Sequence, residues 1–371
     1  MKQIQLMVLI VPFFFNCCKK NVENTDFAYK MGTKRPNVDM QQYQHNQNEL
    51  IITKDNNLIV YYDSYDTIAH KYVTCLRKLD FNGNLLWEKT YKFNSYSHAV
   101  GVMQTNDEGY LLIGEYNYKD DWVFTYTSLI RTNSNGDSLW SKNYLDGYID
   151  SGIKSIQKDN GSFLLFTYTD LYKNLLLNIN SVGDTLSTKY IERENCYPSC
   201  SGYYDFQIDN NENYYFVGEY LAKYDNNFKL IWSKKNNFRG ESIILDNDNN
   251  SLVFGYTYES NHSDYCLYKY DNSGNILWNK TYDYGKTEFA EHIEKTDDGG
   301  FVLLGTSEDN SGVNTIKLIK VDNEGNTLWV KNCNLHSSDS NIGISVKQVA
   351  KNQYIIFGLC DYKPFLTKIT I

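Results

Sequence analysis

Apolar runs alternate with polar turns along almost the whole chain, and two phrases interleave. The first is an Asp/Asn-Gly turn followed by a strand carrying Trp. It reads LDFNGNLLW (Leu79 to Trp87), TNSNGDSLW (Thr132 to Trp140), YDNNFKLIW (Tyr224 to Trp232), YDNSGNILW (Tyr270 to Trp278) and VDNEGNTLW (Val321 to Trp329). A degenerate copy, INSVGDTLS, runs from Ile179 to Ser187. The second phrase is a polar turn followed by an apolar strand ending near Gly, as in NDEGYLLIGEY (Asn106 to Tyr116) and TDDGGFVLLGT (Thr296 to Thr306). The Trp phrase recurs every 45–53 residues, the size of a four-stranded propeller blade and not of a helical repeat.

Each unit reads as four strands. In the second unit these are the short amphipathic stretch 99–103, the continuous apolar run 110–114, then 126–132 and 138–144. A run apolar on both faces suits burial between neighbouring blades. Gly83, Gly136, Gly183, Gly274 and Gly325 supply the positive φ that the turn before strand four needs. Phe228 stands at that place in one unit, where Asn226 or Asn227 is expected to turn left-handed instead. The recurring Trp residues are expected to wedge between blades, since each has a large flat face to bury.

Seven copies of the second phrase face six of the first. The last unit supplies strands near 344–349, 354–358 and 365–371, then stops before any Trp strand. An open sheet edge is a liability, so the missing strand must come from ahead of the first unit, and Thr25 to Met31 is the candidate. The expected fold is all-β: a seven-bladed β-propeller of four-stranded antiparallel blades over residues 48–371, its last blade closed by the N-terminal strand.

The net charge of −9 argues against a nucleic-acid surface, where a basic stripe would be expected. Of the eight cysteines, Cys75, Cys266, Cys333 and Cys360 read as small core residues. Cys196 and Cys200 lie close together in a turn and are candidates for a disulfide.

The N-terminus departs from the repeat. Lys2, then an apolar run from Leu6 to Phe15, then Asn16-Cys17-Cys18-Lys19-Lys20, resembles a bacterial lipoprotein signal. That resemblance implies a signal peptide over 1–18, lipidation at Cys18 (Cys17 is the alternative), and residues 19–47 as a linker holding the closing strand. It further implies export and attachment to the outer membrane through the lipid.

The repeat units resemble those of quinoprotein-like (PQQ-like) propellers, with their Asp-x-x-x-Gly-x-x-x-Trp consensus. They look still more like uncharacterised propeller lipoproteins of Bacteroidetes; Asp297 to Gly305 followed by Asp322 to Trp329 carries the likeness best. Quinoprotein dehydrogenases hold pyrroloquinoline quinone and calcium. The propeller part of this chain has neither the adjacent cysteine pair nor placed basic residues for it, so no cofactor is expected. The lipoprotein of the outer-membrane barrel-assembly machine shares propeller and lipid anchor without a cofactor.

Alternating strand direction puts both short turns of every unit on one rim. The other rim carries loops that vary in length and content, where function is usually grafted. Two clusters stand out there as ligand-binding candidates: Tyr118, Asp120, Asp121 and Trp122, and Tyr258, His262 and Tyr265. Aromatic and carboxylate groups together suit a sugar ring or a protein surface. No motif for a metal or a catalytic set is found. The expected function is a non-catalytic binding or scaffolding propeller for an envelope protein or glycan. The alternative is an envelope polysaccharide hydrolase or lyase using the same rim.

Overall fold

The computed structural model describes residues 25–30, 50–66, 71–92, 98–117, 125–144, 149–169, 173–192, 203–257, 262–334, 340–361 and 363–371. Their strands form seven antiparallel sheets of four. The blades span 50–91, 98–144, 149–192, 203–235, 238–282 and 287–332, and the seventh combines 341–370 with 25–30. They are called blades I to VII. The innermost strands are Leu50–Ile52, His98–Gln104, Ile149–Gln157, Tyr203–Ile208, Phe238–Leu245, Thr287–Lys295 and Asn341–Ala350. Each touches the next, and the last touches the first, so the ring is closed.

The seventh blade is stitched from both termini as expected. Thr25–Lys30 pairs antiparallel with Lys363–Thr370, placing Thr25 opposite Ile369 and Lys30 opposite Phe365. Strand Lys363–Thr370 ends at the short-turn rim, where the Ile371 amide donates to Asn352 O at 2.9 Å. Thr25 therefore lies at that rim.

Strand two of each blade is apolar on both faces because both faces are interfaces. In Tyr110–Asn117, Tyr110 and Leu112 pack with Ile59 and Tyr61 of blade I. Leu111 and Ile113 pack with Phe163 and Leu165 of blade III. Among the described residues there is one such apolar cluster at each of the seven blade interfaces. Each fully buried large aliphatic contributes roughly 1.5–3 kcal/mol. Cys75, Cys266, Cys333 and Cys360 are buried within these layers.

Strand four adds a polar clasp. In blade I, the Trp87 ring lies against Gly136 in the turn of blade II, Lys89 Nζ meets Asp137 Oδ1 at 2.9 Å, and Tyr91 Oη donates to Gly136 O. Blade II repeats this on blade III: Trp140 lies against Gly183, Lys142 meets Asp184 at 2.6 Å, and Tyr144 donates to Gly183 O at 2.7 Å. Blade V repeats it on blade VI with Trp278, Lys280 and Tyr282 against Gly325 and Asn326. Spacing of two along a strand puts the three side chains on one face. Any Cβ at Gly325 would lie 2.8 Å from the Trp278 ring, so this turn needs Gly for close approach as well as for its φ of 78°.

Phe228 corrects the sequence expectation. It takes the left-handed conformation itself, at φ 57°, and neither neighbouring Asn does. The turn makes the same backbone bonds as the Gly turns of the other units, Phe228 N to Asp225 O and Asp225 N to Lys229 O, so the position itself demands positive φ. What differs is blade III, where Ser187 replaces the Trp. Trp87 and Trp329 lie edge-on to Tyr110 and Tyr354, which begin or nearly begin strand two of the following blade. The equivalent Tyr214 is stacked at 4.4 Å by Phe228 from its own blade. Lys189 completes the clasp, donating to Asn227 O at 2.7 Å and Phe228 O at 3.2 Å. Phe228 thus supplies the aromatic surface that blade III lacks.

Candidate functional site

Several sequence candidates lie outside the described residues: Tyr118, Asp120, Asp121, Trp122, Tyr258, the Cys196–Cys200 pair, and Cys17 and Cys18. His262 and Tyr265 are described, and they part company. Tyr265 is fully buried. It begins strand Tyr265–Tyr270, its ring lies 5.6 Å from Phe254, and a Cβ on Gly305 would sit 2.4 Å from it. Tyr265 is therefore a core residue between blades V and VI, not a rim residue open to a ligand. It follows the rim loop so closely in sequence that loop and strand start could not be separated by pattern.

His262 stays on the loop-bearing rim, half-buried, and three carboxylates gather around it. Segment 262–264 is fastened to blade VI: Ser263 bridges Thr287 in parallel, Glu288 N donates to Ser263 O at 2.9 Å, and Ser263 Oγ donates to Glu288 O at 2.8 Å. Thr257 N donates to Asp264 O at 2.9 Å, and Asp264 N to Thr257 Oγ1 at 3.0 Å. In an extended segment, residues two apart share a face. His262 Nε2 accordingly meets Asp264 Oδ1 at 2.6 Å. Asp283, at the end of blade V, brings a carboxylate oxygen so that all three ligand atoms lie within 4.8 Å of one another.

Glu288, tied to the same segment through Ser263, is fully buried. Its Oε1 accepts from Tyr284 N at 2.8 Å and from Ser307 Oγ at 3.4 Å, while Oε2 is buried without a hydrogen-bond partner. Burial pushes its carboxyl up to about 7; Asp264 and Asp283 add to this, and the Tyr284 amide and His262 oppose it. Desolvation alone would lower the His262 pKa, but Asp264, then Asp283 and Glu288, raise it above the ordinary value. Gly285 passes so close that a Cβ would sit 2.2 Å from Ser307 Oγ. A cleft of about 400 Å³ opens beside the group, lined by His262, Gly285, Lys286, Asp309 and Asn310.

A second ionisable cluster lies on the innermost strands of blades V and VI. Pairing shifts by one residue between Gly240 and Ser242, and again between Ala290 and His292, leaving Glu241 and Glu291 as the extra residues of two bulges. Bulges re-aim side chains and are frequent near sites. Glu241 is fully buried and pairs with Arg239 Nε at 2.6 Å. The Arg239 guanidinium lies 4.4 Å from the Tyr204 ring centre. Burial raises Glu241 to about 8 against the opposing pull of Arg239. Burial, then Glu241, pushes Glu291 well above the ordinary carboxylate range.

Folded Glu241 keeps its proton to about pH 8, against 4.5 for the ordinary group. Between those limits the folded chain binds more protons than the unfolded one, so stability falls as pH rises. Glu241→Gln should gain on the parent protein in thermal stability between about pH 5 and about pH 9. Melting curves across that range test this; a difference that does not change with pH would contradict it.

No protein-family model matches the chain, and no curated protein matches it. Solved structures share its fold. It is similar to BBS1N, solved in complex with ARL6DN, at 9% identity and TM-score 0.56, over 94% of this chain and 96% of that one. A protein of unknown function from Bacteroides caccae aligns at 16% identity and TM-score 0.49, over 70% and 89%. BamB from Moraxella catarrhalis aligns at 8% identity and TM-score 0.44, over 91% and 100%. At these identities the likeness is one of fold. Fold and sheet order together define a seven-bladed β-propeller closed by its N-terminal strand.

Proposed function

We propose that the protein is an exported, lipid-anchored propeller that binds an envelope protein or a glycan through its loop-bearing rim. The observation that carries this reading is the polarity of the closing strand. Thr25 lies at the short-turn rim, and Cys18 precedes it by seven residues. Seven extended residues reach at most about 25 Å, so a lipid on Cys18 holds the short-turn rim toward the membrane. The opposite rim, with the His262 cleft, then faces away and is free to meet a partner. BBS1N offers a fold-level analogy, being a propeller solved with a protein bound.

The Glu241–Glu291 pair favours a second reading, an envelope polysaccharide hydrolase or lyase. Glu241 is sealed under Arg239, however, while Glu291 is only half-buried. Glu291 alone of the two could reach a substrate.

Replacing Cys18 with Ala should move the protein from the membrane fraction to the soluble fraction, with Cys17→Ala leaving it in place. The reverse result would shift lipidation to Cys17, and release by neither would refute the anchor. A photo-crosslinker at Asn310 on the loop-bearing rim should give a discrete adduct in cells, and one at Asn82 on the short-turn rim should not. Adducts from Asn82 alone would refute the rim assignment. Glycan cleavage by the purified protein, lost in Glu291→Gln, would favour the second reading.

A further inference from the structure

We propose that His262, Asp264 and Asp283 bind a divalent cation of the zinc or manganese class, with the neighbouring Glu288 as a reserve ligand. This rests on the geometry of the cluster and stands whether or not the rim binds a partner.

Three observations converge. One imidazole nitrogen and two carboxylate oxygens already lie within 4.8 Å of one another, the donor number and type that borderline cations take from proteins. Calcium prefers six to eight oxygens, which this group does not offer. The second observation is Glu288 Oε2, an acceptor buried without a hydrogen-bond partner, on a carboxyl close enough to feel Asp264, Asp283 and His262. Three carboxylates drawn together around one imidazole leave negative charge that a cation would neutralise. Among the described residues, Lys317 and the cleft-lining Lys286 are side chains that compete to neutralise it. Burial lowers the Lys317 pKa, and Glu288 acts in the other direction.

The third observation is preorganisation. The His262 ring hydrogen-bonds the backbone of Lys286, and its Nε2 lies 2.6 Å from Asp264 Oδ1, so the ring is held in place on both counts. Hydrogen bonds of this kind orient a metal-binding imidazole. Asp264 is fixed at its backbone by Thr257, and segment 262–264 is bonded to blade VI. Little ordering entropy would therefore be lost on binding. The cleft lined by His262 leaves one side of the group open to water or to an incoming ligand, as a cation available for binding or chemistry requires.

The test is metal titration of the full protein, purified in detergent and stripped with a chelator. Isothermal titration with Zn²⁺ and Mn²⁺ should show one equivalent bound, with a matching rise in melting temperature. His262→Ala, Asp264→Asn and Asp283→Asn should each weaken that equivalent by at least about tenfold. Their metal-free melting temperatures and circular dichroism establish that they fold. Glu288→Gln should weaken binding less than the other three. Absence of a stoichiometric equivalent would overturn the proposal. So would an equivalent unchanged in both His262→Ala and Asp264→Asn, since the cation would then sit elsewhere. Tighter binding of Ca²⁺ than of Zn²⁺ would overturn the assignment of class.

Discussion

Ser187→Trp alone should destabilise the protein by about 1–3 kcal/mol, and adding Phe228→Gly should recover most of the loss. At the Trp87–Gly136, Trp140–Gly183, Trp232–Gly274 and Trp278–Gly325 interfaces, an indole from one blade covers a glycine turn of the next. At the interface of blades III and IV both partners are exchanged: Ser187 stands for Trp and Phe228 for Gly. An indole placed at 187 would meet the Phe228 ring on the face of Tyr214. Phe228→Gly removes that obstacle and also relieves a positive φ that a bulky side chain resists. Gly at 228 without Trp at 187 should itself be destabilising, because Tyr214 loses its stacking partner and Lys189 the ring that lies 5.6 Å from its Nζ. Denaturant unfolding of the parent, both single variants and the double variant gives the coupling. A value within about 0.5 kcal/mol of zero would mean that the two positions are independent.

The same pair shows what could be read from the chain and what could not. The Trp phrase exposes the period, the strand order and the need for a borrowed strand, because each is written locally. The Ser187–Phe228 exchange is also visible in the sequence. It acquires meaning only once strand four is known to grip the turn of the following blade, some forty residues on. The Trp-x-Lys-x-Tyr clasp escapes a sequence reading for the same reason. Its lysines and tyrosines read as the alternating outer face of a strand, while their partners belong to another unit.

The candidate site is less legible. His262 stands out through its polar loop, but Asp283 and Glu288 come from the junction of blades V and VI, and no motif spacing links them to it. Glu241 and Glu291 are hidden differently. A single extra residue in the innermost strand breaks the period of two, so a charged residue that alternation would place on one face is re-aimed by a bulge. Tyr265 is misplaced by pattern alone because polar loop and buried strand meet within a residue of it.

The closing strand carries the second large effect. Removing Thr25–Lys30 should leave Lys363–Thr370 as an open edge, with Phe365 and Leu366 lying at its core. Such an edge invites pairing with other chains, so the shortened protein should aggregate or unfold at temperatures the parent withstands. Under the proposed lipid anchor at Cys18, the same deletion would also remove the tie that orients the two rims.

Hydrogen exchange of the intact protein tests this closure most directly. Amides of residues 25–30 that bond to strand Lys363–Thr370 should exchange at least about a hundredfold more slowly than an open chain, equivalent to about 2.8 kcal/mol of opening free energy. Exchange there at the open-chain rate, with 363–370 still protected, would mean that the seventh blade is not closed from the N-terminus.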